Sequence, residues 1–241
     1  MIIDNCKRAA LKRSANAMKR HIRLVMTTCL AMTACFVFTS SAKAQRNEVL
    51  SPDIASLQVT ADDKWLQMPI MQLGSGSVMN IAFDDLTHEY HRYAYKLEHC
   101  EADWTVSDQL FASDYCKGFA DGNTIDDMEE SINTSVQYTH YRLQIPNDRC
   151  EPTISGNYRL TVYDDNTQDT VFKACFMIVE QQTAVALGVT TNTDIDINRS
   201  HQQVSMKLGY GAIDVRDQQK EIKTVVLQNG CWTNAVCNAT P

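Results

Sequence analysis

The sequence predicts an all-β protein. Its main domain is expected to be an immunoglobulin- or fibronectin-III-like β-sandwich, followed by the start of a second β domain. Apolar and polar residues alternate with period two over about seven short segments between residues 50 and 180. Val, Tyr, Thr and Phe, which favour strands, are common in these segments. Clusters of Gly, Ser, Asn and Asp separate them, and this pattern is typical of a sandwich.

The predicted strands follow in chain order. The first lies near residues 54–60, and the next two, near 66–73 and 78–83, are joined by Gly74-Ser75-Gly76. The remaining strands each place apolar side chains on one face, namely Tyr93, Tyr95 and Leu97, then Tyr141, Leu143 and Ile145, then Tyr158, Leu160 and Val162, then Phe172, Ala174, Phe176 and Ile178. We expect Tyr95 and Tyr158 to lie in the core between two sheets.

A long insertion, residues 101–135, has little β-pattern. It carries nine acidic residues and one base, together with the aromatic residues Trp104, Phe111, Tyr115 and Phe119. One interpretation is a surface excursion that these aromatics hold against the sandwich. The other is a partner-binding loop, since aromatic anchors supply much of the energy of interfaces. We predict these four residues as a partner-binding site.

A second β domain is expected over residues 183–241. Val185–Thr191, Gln202–Gly209 and Glu221–Gln228 have strand character. Three strands are too few for a closed sandwich, which needs about seven. We therefore expect this domain to be truncated, with exposed strand edges.

Residues 1–44 have the features of a Sec-type signal peptide. Basic residues precede an apolar run from Leu24 to Phe38, and Ala42-Lys43-Ala44 provides a cleavage site. An uncleaved anchor and a lipoprotein signal modified at Cys35 are the alternatives. Translation could start at Met1 or Met18. Cleavage after residue 44 would deliver the chain to an oxidising compartment.

The charge and the cysteine content of the mature chain bear on its partners and on its disulfides. Residues 45–241 hold 14 Lys and Arg against 28 Asp and Glu, so nucleic acid is not an expected partner. Disulfides are permitted after export, but the sequence leaves open 15 connectivities for its six cysteines, Cys100, Cys116, Cys150, Cys175, Cys231 and Cys237.

Motifs for catalysis and for cofactors are not found in the sequence. It contains neither a G-x-S-x-G elbow nor the glycine-rich loops that bind nucleotides. His88 and His91 suggest a metal site only weakly, because spacing of three puts them on opposite faces of a strand. Paired acids such as Asp84-Asp85 and Asp164-Asp165 fit turns better than calcium loops. We expect no enzyme activity, metal, cofactor or small-molecule substrate.

Several strings together resemble a known family. They are Phe83-Asp84-Asp85-Leu86, His99-Cys100-Glu101-Ala102-Asp103-Trp104, Tyr138-Thr139-His140-Tyr141-Arg142-Leu143, Ser155-Gly156-Asn157-Tyr158 and Gln228-Asn229-Gly230-Cys231-Trp232. In this order they resemble the plug protein of the Bacteroidota type IX secretion system, over roughly residues 48–238.

The resemblance implies a non-enzymatic periplasmic protein, peripherally associated with the outer membrane. Its partner would be the outer-membrane translocon barrel, whose periplasmic opening it would plug. The alternative is an exported carbohydrate-binding or other ligand-binding β-sandwich module. That alternative predicts aromatic rings along one exposed face, whereas most aromatics of the sequence fall on inward faces.

Overall fold

The computed structural model describes residues 47–211 and 213–237. The predicted signal peptide, residues 1–44, lies outside these described residues. In the described part, 51% of the chain is strand and 4% is helix, so the prediction of an all-β protein is confirmed.

The described elements are sixteen strands and two one-turn helices. The strands are β1 (Glu48–Val49), β2 (Ile54–Ala61), β3 (Ile70–Gln72), β4 (Met79–Asp85), β5 (Tyr93–Cys100), β6 (Cys116–Gly118), β7 (Asp121–Thr124), β8 (Asp127–Glu130), β9 (Thr139–Ile145), β10 (Cys150–Pro152), β11 (Gly156–Asp164), β12 (Thr170–Val179), β13 (Ala184–Thr190), β14 (Gln203–Gly209), β15 (Val225–Gln228) and β16 (Cys231–Cys237). The helices are α1 (Ala112–Tyr115) and α2 (Gln218–Glu221).

Two open sheets form the sandwich. The first has the order β1-β12-β11-β5-β7, and β3 also pairs with β12. The second has the order β2-β4-β9-β8. Phe83 of the second sheet packs against rings of the first, with centroids 5.4 Å from Tyr93 and 4.8 Å from Phe172. The sandwich-like arrangement predicted from the sequence is therefore confirmed.

Alternation in the sequence becomes burial between the sheets. Tyr158, Leu160 and Val162 of β11 are fully buried, while the residues between them are partly exposed. Tyr95 and Tyr158 lie in the core as predicted, at 1% and 0% exposure. Burying such faces is the main favourable contribution to folding.

The strand predicted near residues 66–73 is shorter and pairs differently from a hairpin. Only Ile70–Gln72 is extended, and it runs parallel to β12 with Ile70 opposite Met177. The preceding residues form turns, and the carbonyl of Pro69 accepts a hydrogen bond from Met177. The turn at Gly74-Ser75-Gly76 thus carries the chain from one sheet to the other.

The insertion at residues 101–135 forms regular elements although its sequence has little β-pattern. It contains α1 and the strands β6, β7 and β8. β7 extends the first sheet beside β5, and β8 extends the second sheet beside β9. These strands leave little β-pattern in the sequence, because short polar edge strands lack the apolar alternation that marks a half-buried strand.

The C-terminal residues form two hairpins. β13 pairs with β14, and β15 pairs with β16. The strand predicted at Glu221–Gln228 begins later, at Val225, because Glu221 belongs to α2. β16 was missed. The division of the chain into domains at residues 182 and 183 stays a prediction.

None of the helices in the described residues has the length and apolarity that crossing a membrane requires.

Candidate partner-binding surface

The structure divides the four predicted partner-binding aromatics into two pairs. Trp104 and Tyr115 are buried, at 5% and 8% exposure. Phe111 and Phe119 are exposed, at 78% and 71%. The two interpretations of the insertion therefore apply to different residues, since one pair holds the segment down and the other faces solvent.

Trp104 lies on the outer side of the first sheet. Its φ of 65° places it in the left-handed region, at the end of a turn closed by its backbone N–H donating to Glu101. The turn folds the indole over Cys100 and Cys175. Trp232 of β16 meets it edge to face, with ring centroids 5.6 Å apart. This contact joins the C-terminal hairpin to the sandwich.

Tyr115 closes one end of the core. Its hydroxyl donates to the carbonyl oxygen of Leu97 at 3.1 Å, and its ring lies 6.3 Å from that of Tyr158. Burial, followed by the negative charge of Glu98, raises the pKa of Tyr115 to about 12. The hydroxyl therefore stays protonated at neutral pH and acts as a hydrogen-bond donor that fixes α1.

Phe111 and Phe119 flank a short segment, residues 111–119, which we call the aromatic arm. It consists of α1 and β6 with one exposed phenylalanine at each end. β6 pairs antiparallel with β10, and the backbone N–H of Phe119 donates to the carbonyl of Arg149 at 2.8 Å. The arm is thus fastened to the sandwich while both phenyl rings remain in solvent.

Gly118 is needed for this close pairing. Its φ is +98°, and a Cβ at this position would lie 2.2 Å from the carbonyl oxygen of Arg149. A side chain there would clash with backbone, which cannot yield as a flexible side chain can.

Basic residues on neighbouring elements pair with part of the acidic insertion. Arg149 contacts Asp126 at 2.7 Å, and Arg142 contacts both Asp127 and Glu129 at 3.3 Å. A hydrogen bond from Thr124, with further help from Arg149, lowers the pKa of Asp126. The surface of the insertion is consequently a mixed-charge network at β8 and β9, rather than a uniformly negative loop.

An open depression of about 580 Å³ lies beside this network. Its lining includes Asn80, Asp126, Arg142 and Arg149, and among the described lining residues the only ring belongs to the buried Tyr95. The described lining does not offer the exposed row of aromatic rings that the carbohydrate-binding alternative predicts.

A group of hydrogen bonds, which we call the clamp, lies at the end of the sandwich away from Tyr115. Its members are Asp85, Tyr93, His91, Tyr141 and Asp164. Asp85 of the second sheet is fully buried and accepts a hydrogen bond from the Tyr93 hydroxyl of the first sheet at 2.8 Å. Tyr141 donates to the backbone carbonyl of His91 at 3.1 Å, and the His91 ring lies 3.1 Å from Asp164. The paired acids fit turns or calcium ligands in the sequence, and nothing in their spacing predicts this clamp.

Electrostatics of the clamp favour an ionised Asp164. Burial tends to raise the pKa of this carboxyl, but hydrogen bonds from His91 and from the backbone amides of Thr167 and Asn166 outweigh it. The pKa of Asp164 is therefore lowered. His88, the other residue of the weak metal motif, lies in the loop between β4 and β5 with φ of 54°. Within the described residues no group of three or more His, Cys, Asp or Glu could hold a metal ion.

The strings that carry the family resemblance have structural explanations. Asp84 bonds His140 at 2.6 Å, which joins neighbouring strands of the second sheet. Gly156 has a φ of +154°, and a Cβ there would lie 2.2 Å from Nε2 of His99. These residues stabilise the fold, and they do not include the exposed Phe111 and Phe119.

The fold and surface define a β-sandwich module with exposed aromatic side chains and no recognised catalytic motif. Comparison with family models matches residues 54–180 to the first domain of the type 9 secretion system plug protein. The match spans β2 to β12 and more than half of the chain, so the chain belongs to this family.

A solved structure agrees with the fold. The crystal structure at 2.30 Å resolution of a hypothetical protein from Parabacteroides merdae ATCC 43184 is 40% identical, with a TM-score of 0.77. The alignment covers 82% of this chain and 50% of that one, so the chain spans about half the length of this relative. Comparison with curated proteins gives no match.

Proposed function

We propose that this protein is a non-enzymatic periplasmic component of the type IX secretion system that plugs the periplasmic opening of its outer-membrane translocon. The family match over residues 54–180 is the observation that carries the proposal. It includes both sheets of the sandwich together with the aromatic arm. The role requires a binding surface and no covalent chemistry, which suits the surface described above.

The aromatic arm is the proposed contact with the translocon. Phe111 and Phe119 together expose two large rings on a segment whose backbone is held by β10. Rings on a fixed backbone lose little conformational entropy on binding, which favours their use as anchors. Tyr115 anchors the arm through its hydrogen bond to Leu97, and Trp104 holds the start of the insertion against Cys100 and Cys175.

Export by a Sec-type signal peptide is part of the proposal. Residues 1–44 carry the sequence features that support it. N-terminal sequencing of the protein purified from the cell envelope should begin at Gln45. A start at a lipid-modified Cys35 would instead identify an anchored lipoprotein.

We also propose that the sandwich is of the immunoglobulin type. Its second sheet has the order β2-β4-β9-β8, and the core of the first is β12-β11-β5-β7. These orders correspond to the A-B-E-D and G-F-C-C′ arrangements of that fold. In this scheme the aromatic arm belongs to the excursion between strands C and C′.

Affinity capture of the translocon from the native envelope tests the function. The bait is the full-length protein, compared with Phe111→Ala and Phe119→Ala variants. Trp65→Ala and Tyr90→Ala are matched controls, because these rings are 76% and 71% exposed and lie outside the arm. Each arm variant should keep its melting temperature and bind roughly tenfold more weakly, which corresponds to about 1.4 kcal/mol.

The outcomes separate the function from the site. Failure of the wild-type protein to capture the translocon would contradict the plug function. Normal wild-type capture, with arm variants no weaker than the Trp65 and Tyr90 controls, would retain the function and place the contact elsewhere.

A further inference from the structure

Two buried thiols lie against each other where the aromatic arm meets the sandwich. Cys116 begins β6 and Cys150 begins β10, and they are 2% and 0% exposed. Their Sγ atoms are 3.0 Å apart, closer than an ordinary sulfur–sulfur van der Waals contact. A disulfide bond is about 2.0 Å long, so a shift of about 1 Å would join them.

The backbone around the pair holds the two strands together. Cys116 is opposite Pro152 and Cys150 is opposite Gly118, so the two cysteines are diagonal neighbours in the two-stranded ladder. The close approach of Gly118 to the carbonyl of Arg149 fixes the spacing of the strands. Both strands are short and lie outside the two main sheets.

We propose that Cys116 and Cys150 form a disulfide bond that locks the aromatic arm to β10 in the exported protein. The bond closes a segment in which the cysteines are separated by 34 positions. Closing a segment of that length restricts the unfolded chain and thereby stabilises the fold. The bond also holds Phe111 and Phe119 on a covalently fastened support.

The chemistry is a thiol–disulfide exchange. The oxidant is a disulfide of low molecular weight or of an oxidoreductase in the export compartment. One cysteine thiolate attacks that disulfide, forms a mixed disulfide and releases the oxidant's first thiolate. The second cysteine loses its proton and attacks the mixed disulfide, which releases the second thiolate. Two electrons and two protons leave the cysteine pair, and the oxidant becomes two thiols.

The two thiols are coupled by a hydrogen bond between their sulfur atoms. A hydrogen bond from Cys150 lowers the pKa of the Cys116 thiol, whereas the same bond and burial raise the pKa of Cys150. Both side chains are buried in the folded protein, so the exchange takes place while the strands are still opening and closing during folding.

Refolding of the mature full-length chain tests the proposal independently of secretion. The reduced, denatured chain is refolded with oxidised and reduced glutathione, quenched with acid, alkylated in denaturant and mapped by mass spectrometry without reduction. We expect a linked peptide pair containing Cys116 and Cys150. Cys100→Ala is the matched control, because Cys100 is equally buried but lies on β5, and it should leave that link intact.

Thermal unfolding provides the second measurement. Adding a reductant should lower the melting temperature of the wild-type protein, and the double variant Cys116→Ala/Cys150→Ala should lose this response. Recovery of Cys116 and Cys150 as alkylated thiols, or linked to other cysteines, would overturn the proposal. Translocon capture is measured separately, so this result does not depend on the plug function.

Discussion

Replacing Asp85 by alanine should destabilise the sandwich by about 3 kcal/mol. The Asp85 carboxylate accepts hydrogen bonds from the Tyr93 hydroxyl at 2.8 Å and from the backbone and side chain of Thr87 at 2.9 and 2.7 Å. It is fully buried, and through Tyr93 it joins the two sheets. The substitution removes the acceptor of all three hydrogen bonds at once.

The magnitude follows from the groups left behind. A buried hydroxyl without an acceptor costs roughly 1–3 kcal/mol, and the two lost bonds to Thr87 add about 1 kcal/mol because that turn is partly exposed. Removal of a buried carboxylate relieves part of its desolvation cost, which offsets some of this loss. Burial and the bond to Asp85 raise the pKa of Tyr93, so its hydroxyl is a donor throughout the physiological range.

Asp84 provides the matched control one residue away. Its carboxylate bonds His140 at 2.6 Å, but both side chains are partly exposed, at 18% and 34%. Asp84→Ala should therefore cost no more than about 1 kcal/mol. Urea unfolding of the two variants and the wild type measures both losses. Equal losses, or a larger loss for Asp84→Ala, would refute the assignment of Asp85 as the clamp.

Three further predictions concern other contacts. Gly156→Ala should lower the free energy of unfolding by roughly 1–3 kcal/mol, because the new methyl group clashes with His99. Adding His99→Ala to this variant should recover part of the loss, and no recovery in the double variant would contradict the clash. The lowered pKa of Asp164 means that this carboxylate stabilises the fold fully above its unfolded pKa of about 3.9, and that the stabilisation is lost as pH falls through the lower folded pKa. Asp164→Asn should therefore flatten the decline of stability below about pH 4 measured by urea unfolding, and an unchanged decline would argue against the ionised clamp. Trp104→Ala should lower the melting temperature strongly and leave translocon capture per folded molecule unaltered, whereas an unchanged melting temperature would contradict its structural role.

Sequence pattern predicted those strands that bury one face. β4, β9 and β11 alternate in sequence because one side of each strand meets the other sheet. β7 and β8 carry polar residues on both sides, and backbone pairing with β5 and β9 places them, so side-chain pattern gives no signal. Pro69 and the turns before it shorten β3 in a way that composition alone did not indicate.

From the sequence, the candidate surface could be located only to the insertion at residues 101–135, and the exposed side chains within it could not be identified. Trp104, Phe111, Tyr115 and Phe119 are all aromatics in a polar stretch, and sequence could not separate them. The turn that ends at Trp104 and the hydrogen bond from Tyr115 to Leu97 are tertiary contacts, and they decide which rings are buried. The neighbours Asp84 and Asp85 illustrate the same limit, since strand alternation sends one outward and the other into the core.

Conductance of the translocon in a planar lipid bilayer tests the plug function most directly. The purified barrel, free of secreted substrate, is inserted in a known orientation, and the full-length protein is added to the periplasmic side. We predict that the wild-type protein reduces the conductance and that the Phe111→Ala and Phe119→Ala variants require roughly tenfold higher concentrations for the same reduction. Wild-type protein that leaves the conductance unchanged at saturating concentration would contradict the plug function.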